Sequence, residues 1–354
     1  MKKKLVYFTV AALAMASCSN DEVLEANYGS AINFRASSDK NSRATETTNA
    51  NLTGFYVTAF TPDGSAYFSN QLFEGSQGSS YISDPVYYWP SDQDLTFHAY
   101  APESNDFTGT LSFTSAQQTL TNFSPASEIS DQIDLIYATA TGNKESNEAT
   151  GVQLSFNHML SQIELQAKNT NSGYVYKIKG VKIGKPVSQG TLNFSTTDWE
   201  PSTTKAVYKV EYNDAITLNE TAQSIMAKVD GKSDNAMLIP QQLTAWNPDT
   251  DGTNTSEGAY LSVLVDIDTK DGANVYPKDA SEFAWASVGI DTKWEAGKKY
   301  IYIMDFSSGA GNVDPEQPGV NPDDPQPGDP ILGNPITFTV NVIDWTPANQ
   351  EVDM

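Results

Sequence analysis

Few residues of this chain are equipped for chemistry. There is one thiol, Cys18, and there are two imidazoles, His98 and His158. A Cys–His nucleophile or a zinc site would need these groups to converge with further partners. Both histidines fall on segments that read as strands, and His98 has Phe97 and Tyr100 beside it, which suits structural roles. No G-x-S-x-G elbow, phosphate loop or H-E-x-x-H occurs. Carboxylates are abundant, so a two-acid glycosidase site stays open on residue type, but no pair stands out from a solvated acidic surface. Asn247 to Asn254 begins like a calcium loop, with oxygen ligands at alternate positions and Gly252 in sixth place. Its twelfth place is Gly258, where a bidentate Glu is needed, so a turn between strands is the better reading. The expectation is no enzyme, no cofactor and no metal site.

The thiol has a different use. Lys2, Lys3 and Lys4 precede an apolar run from Leu5 to Ala14, of signal-peptide length and too short to span a bilayer. Met15-Ala16-Ser17 then leads into Cys18. The arrangement resembles the lipobox of bacterial lipoproteins, which implies a signal peptide over 1–17 and an acylated Cys18 as the mature N-terminus. Met15 departs from the usual Leu there. An ordinary signal peptide with an incidental cysteine is the other reading. Ser19-Asn20-Asp21-Glu22 resembles the tag that exports lipoproteins to the cell surface in some anaerobic Gram-negative bacteria. The expected address is therefore the outer membrane, facing outward and held by a lipid anchor.

Composition narrows the partners. The formal net charge is −23, from 21 basic and 44 acidic residues. Removing residues 1–17 takes away three lysines and no acids, which deepens it to −26. That argues against nucleic acid or an anionic membrane surface as the main partner. With a single cysteine no intrachain disulfide can form, so packing alone must hold the core. The 337 residues after position 17 exceed the usual single-domain size and suggest two domains.

The elements that must position any site read as strands. Apolar residues alternate at Phe55, Val57 and Ala59, at Leu95, Phe97 and Ala99, and at Val152, Leu154 and Phe156. Similar runs continue to Tyr300–Phe306, rich in aromatic and β-branched residues and separated by Gly, Pro, Asn and Asp. No apolar stripe keeps helical spacing over three turns, and only Met159-Leu160 suggests a short helix or bulge. The fold class is all-β, as antiparallel sandwiches. Thr141 to Gly151 is polar and reads as a loop or, preferably, an interdomain linker, giving domains over 44–149 and 150–307. Residues 308–334 are rich in Pro, Asp and Gly and read as an extended spacer that cannot pack a core. Within 335–354, Ile336, Phe338, Val340 and Val342 alternate with polar residues, an orphan strand in need of a partner.

Several segments together resemble the fimbrillin family of surface fimbrial subunits. They are Ser42-Arg43-Ala44, Leu52 to Phe60, Tyr87-Tyr88-Trp89-Pro90, Leu95 to Pro102, Asp134 to Ala138 and Leu154 to Leu160. The resemblance covers roughly residues 1–306 and implies two transthyretin-like β-sandwich domains. It also implies a lipidated pro-segment over 18–43, removed by an arginine-specific protease after Arg43, so that Ala44 becomes the new N-terminus. Loss of the leading strand, here Ile32 and Phe34, would open a groove that the C-terminal strand of another subunit fills. Arg35 is a rival cleavage site, and Arg43 as a plain loop residue is the alternative. The partners implied are other fimbrial subunits or further copies of this chain, in a fimbrium. The long spacer departs from the family pattern, so Ile336, Phe338, Val340 and Val342 act either between subunits or on their own domain. The competing function is a non-polymerising surface lipoprotein that binds glycan or host protein, with Trp246, Trp285 or Trp294 as stacking surfaces if exposed.

Overall fold

The computed structural model describes residues 30–37, 51–226, 235–248, 258–279, 281–317 and 325–345. Cys18, Arg43 and Ala44 lie outside them, as does most of the calcium-loop candidate after Pro248. The alternating segments form strands throughout. The first half carries β1 (Phe34–Ser37), β2 (Gly54–Phe60), β3 (Ala66–Glu74), β4 (Ile82–Ser83), β5 (Leu95–Ala101), β6 (Thr110–Phe113), β7 (Gln118–Phe123), β8 (Ile136–Gly142), β9 (Val152–Ser155) and β10 (Asn157–His158). The second half carries β11 (Ser161–Lys168), β12 (Tyr174–Val187), β13 (Gly190–Asn193), β14 (Asp198–Pro201), β15 (Lys205–Thr217), β16 (Gln223–Ser224), β17 (Ala236–Leu238), β18 (Tyr260–Thr269) and β19 (Asn274–Tyr276). It ends with β20 (Ala284–Gly289), β21 (Lys298–Asp305), β22 (Asn312–Val313) and β23 (Thr337–Asp344). Among the described residues the helical elements are short turns, such as Lys144–Asn147, and no helix is long and apolar enough to cross a membrane.

In the first half a six-stranded sheet, ordered β10-β8-β5-β2-β3-β4, packs against the pair β1-β9. Phe34, Phe55, Phe73, Phe97, Leu154 and Phe156 are buried together between them. In the second half the sheet β15-β12-β18-β20-β22, with β19 beside β18, shares a core with the sheet β16-β11-β21-β23 and β17. A fifth sheet joins the halves: the hairpin β6-β7 of the first pairs with β13-β14 of the second, Leu120 opposite Leu192. Beneath it Tyr100, Tyr137, Leu160, Phe194 and Ile239 form a third buried cluster.

The all-β sandwich expected from the sequence is present, with three differences. Two pairings are parallel, β1 with β9 and β11 with β21. The polar stretch Thr141–Gly151 is not a linker. Asn143 caps a helical turn by accepting from Ser146 N at 2.9 Å, and Asn147 Nδ2 donates to Gly151 O at 3.2 Å, so polar side chains serve a local loop. The chain then returns to the first core through Val152, Leu154 and Phe156, and crosses to the second half at Met159-Leu160, a buried link with no helix. Finally, the described parts of 308–334 are not an extended spacer. Ala310, Val313 and Ile331 are buried, and 311–313 doubles back on 328–331 through Val313 N to Asp329 O at 2.9 Å and Ile331 N to Gly311 O at 2.8 Å. A few well-placed apolar residues outweigh the surrounding Pro and Asp.

Candidate assembly site

The leading segment is an inner strand, not an edge. On one side β1 runs parallel to β9, Phe34 opposite Val152 and Arg35 opposite Gln153. On the other it meets 81–89 in antiparallel fashion: Phe34 and Tyr81 exchange backbone hydrogen bonds at 3.1 and 2.9 Å, and Ile32 N donates to Tyr87 O at 2.8 Å. Alternation turns Ile32 and Phe34 into the core, where both are fully enclosed. The Phe34 ring meets Phe73 at 4.8 Å, Phe97 at 5.1 Å and Phe55 at 6.0 Å, each edge to face. Taking 30–37 away would leave two sheet edges and a ring-lined slot between them. Arg35, the rival cleavage residue, lies within this doubly paired strand, and its Nη1 donates to Gly78 O at 3.1 Å. A protease needs an extended, unpaired backbone, which Arg35 lacks.

The trailing strand is paired within its own chain. β23 lies antiparallel to β21, with Tyr300 opposite Val342 and Tyr302 opposite Val340. Ile336 is buried, while Phe338 and Val340 are half-buried against the second core. Phe338 packs 5.9 Å from Tyr302, and its other side borders an open cleft of about 490 Å³ lined by Lys168, Ala222 and Ile303. Val342 and Ile343 are each 50% exposed. Just beyond, Trp345 turns in between the halves: its ring stacks on His158 at 3.8 Å, and its backbone N–H donates to Gly297 O at 2.7 Å. The preceding segment is held by a buried carboxylate. Asp314 Oδ2 accepts from Lys182 Nζ at 2.9 Å and from Ser262 Oγ at 2.6 Å, while Trp285 covers the ammonium at 4.4 Å. Together β22 and β23 cover the β20 and β21 edges of the second half.

The histidines sit in separate pairs, His98 apart from this site and His158 beneath Trp345. His98 Nδ1 lies 2.6 Å from the Tyr137 hydroxyl, and burial pushes its imidazole below the ordinary value. His158 Nδ1 is 2.9 Å from the Asp134 carboxylate, both buried. Among the described residues no three His, Cys, Asp or Glu side chains gather as a metal site would require. Trp246 and Trp294 are buried and Trp285 is half-buried beneath Lys182, so none is a free stacking face. Sequence reasoning missed two anchors. Trp345 carried a signal, an aromatic directly after an alternating strand. Asp314 carried none, being one acid in an acid-rich stretch.

A model of the fimbrillin-like family matches residues 42–320. No curated protein matches the chain. Among solved structures, a fimbrial protein from Bacteroides vulgatus is 17% identical and covers 89% of this chain and 99% of its own, with a TM-score of 0.56. A protein assigned to cell adhesion from Bacteroides uniformis is 18% identical over 89% of this chain and 98% of its own, at a TM-score of 0.45. The fimbrial anchor protein of Porphyromonas gingivalis is 12% identical over 90% and 98%, at a TM-score of 0.33.

Proposed function

This chain belongs to the fimbrillin-like family, and we propose that it is a structural fimbrial subunit. In this reading it is exported as a lipoprotein on Cys18, matured by cleavage after Arg43 and assembled by strand exchange at the outer cell surface. No enzymatic step is assigned to it. One observation carries the proposal: the strand just upstream of Arg43 is hydrogen-bonded on both sides, to β9 and to 81–89, and buries Ile32 and Phe34 completely. Cutting between it and Ala44 frees it to leave, and the slot it leaves needs a new strand. Until then acyl chains on Cys18, at about 0.8 kcal/mol per buried methylene, hold the precursor to the membrane.

The test is Arg43→Ala in the native host. The variant should remain full-length, carry acyl groups on Cys18 by intact mass, and form no SDS-resistant ladders. The wild type should form ladders whose subunits begin at Ala44. A variant that assembles normally would overturn the cleavage step, and an unmodified Cys18 would overturn the anchor.

A second reading is favoured by the in-chain placement of β23. A molecule that keeps its trailing strand on β21 and Trp345 against His158 has nothing to donate. It would remain an anchored monomer that binds glycan or host protein. Wild-type protein found only as an acylated monomer would support this alternative.

A further inference from the structure

The leading and trailing strands carry the same side-chain pattern. Ile32-Asn33-Phe34-Arg35-Ala36 and Ile336-Thr337-Phe338-Thr339-Val340 both read isoleucine, polar, phenylalanine, polar, small aliphatic. In β1 the apolar members point inward. Ile32 and Phe34 are enclosed, and Ala36 packs on the same core while keeping partial exposure. The Phe34 slot is walled by Phe55, Phe73 and Phe97, so close packing demands a ring of like size. The trailing strand holds one phenylalanine, Phe338.

Resting on the strand-exchange reading above, we infer that the trailing strand of a second copy enters the vacated slot in a single register. Ile336 takes the place of Ile32, Phe338 that of Phe34 and Val340 that of Ala36. The strand runs parallel to β9, as β1 does. Polar positions then replace polar positions on the outer face: Thr337 for Asn33, Thr339 for Arg35 and Asn341 for Ser37. The extra methyl groups of Val340 fit where Ala36 is only partly covered.

Other registers are worse. A slip of one residue turns the threonines inward and every apolar side chain out. A slip of two sets Val340 in the ring slot and Phe338 in the space of Ile32, or Ile336 in the ring slot and Phe338 in the space of Ala36, with a void left in the slot either way. Exchange also improves on the in-chain position. Phe338 is half-covered on β21 beside an open cleft, whereas Phe34 is fully enclosed. For Phe338 itself, the gain in burial favours the slot once it is empty.

In this register Thr339 of the donor lies opposite Gln153 of the acceptor, as Arg35 does in β1. The test mixes full-length Gln153→Cys protein with Thr337→Cys, Thr339→Cys or Asn341→Cys protein. All are cleaved after Arg43, which also removes Cys18. Disulfide-linked pairs are then read on non-reducing gels and mapped by peptide mass. The Thr339→Cys mixture should cross-link roughly ten-fold or more above the other two, because Cα atoms more than about 7 Å apart do not bridge. Polymers that cross-link through position 337 or 341, or through none of the three, would overturn the register while leaving strand exchange standing. Cleaved wild-type protein that never polymerises would overturn the reading beneath it.

Discussion

At the residue scale the buried polar groups divide by what they hold. Asp314 and Lys182 fasten a segment, His158 supports Trp345, and His98 serves the interior of the first half. His98 has a consequence in pH. Burial lowers its proton affinity below the ordinary 6.5, so the folded chain takes up the proton at lower pH than the unfolded chain. The stability tied to neutral His98 is complete above the unfolded value and is lost as pH falls through it toward the folded value. Melting temperature should therefore fall between pH 7.5 and 5, within the window just below about 6.5. His98→Gln keeps a polar partner for Tyr137 but cannot titrate, so its decline should be shallower. Equal slopes in the two proteins would count against the assignment. The histidines were legible as structural from their neighbours in sequence. Their partners were not, because Tyr137 and Asp134 come close only through the pairing of β5, β8 and β10.

At the element scale the alternating runs were easy to read, since a strand with one buried face repeats every second residue. The leading strand was legible from just Ile32 and Phe34, and the trailing one from four apolar residues. Composition misled in the two polar segments. Loop residues near 141–151 have the composition of a seam, although local hydrogen bonds absorb them. Pro and Asp after 308 hid three buried apolar residues. The trailing strand supplies a test of where it belongs. Ending the chain at Asn334 removes buried Ile336 and Trp345 and half-buried Phe338 and Val340. At about 1.5–3 kcal/mol for each fully buried side chain and half that for each half-buried one, the loss should be roughly 4.5–9 kcal/mol as an upper estimate. By calorimetry the monomer should melt lower by about 10 °C. An unchanged melting temperature with lost polymers would mean that the strand contributes nothing to its own fold.

At the scale of the whole molecule, two sandwiches are held as one body. The shared sheet β14-β13-β7-β6 and the cluster beneath it, with Trp345 at its margin, connect what sequence suggested were separate domains. Nothing local announces this, because β6-β7 and β13-β14 look like ordinary hairpins and meet only across about seventy residues of chain. The wild type should unfold in a single calorimetric transition. Leu192→Asp, which sets a buried charge opposite Leu120, should split that transition in two while leaving each half folded. Two well-separated transitions in the wild type would show that the halves are independent.

That shared sheet bears on mechanics. Domains joined by a single buried link would swivel about it, and relative motion is the ordinary expectation for small interfaces. Here a pull applied between the two ends is not carried by the covalent link at Met159-Leu160 alone: the β7–β13 hydrogen bonds give a second route, beside smaller ties such as Met237 N to Gln132 Oε1. The second route resists torsion as well as stretch. A filament built from such units would bend at its joints, where one strand bridges two molecules, and would stay stiff within each.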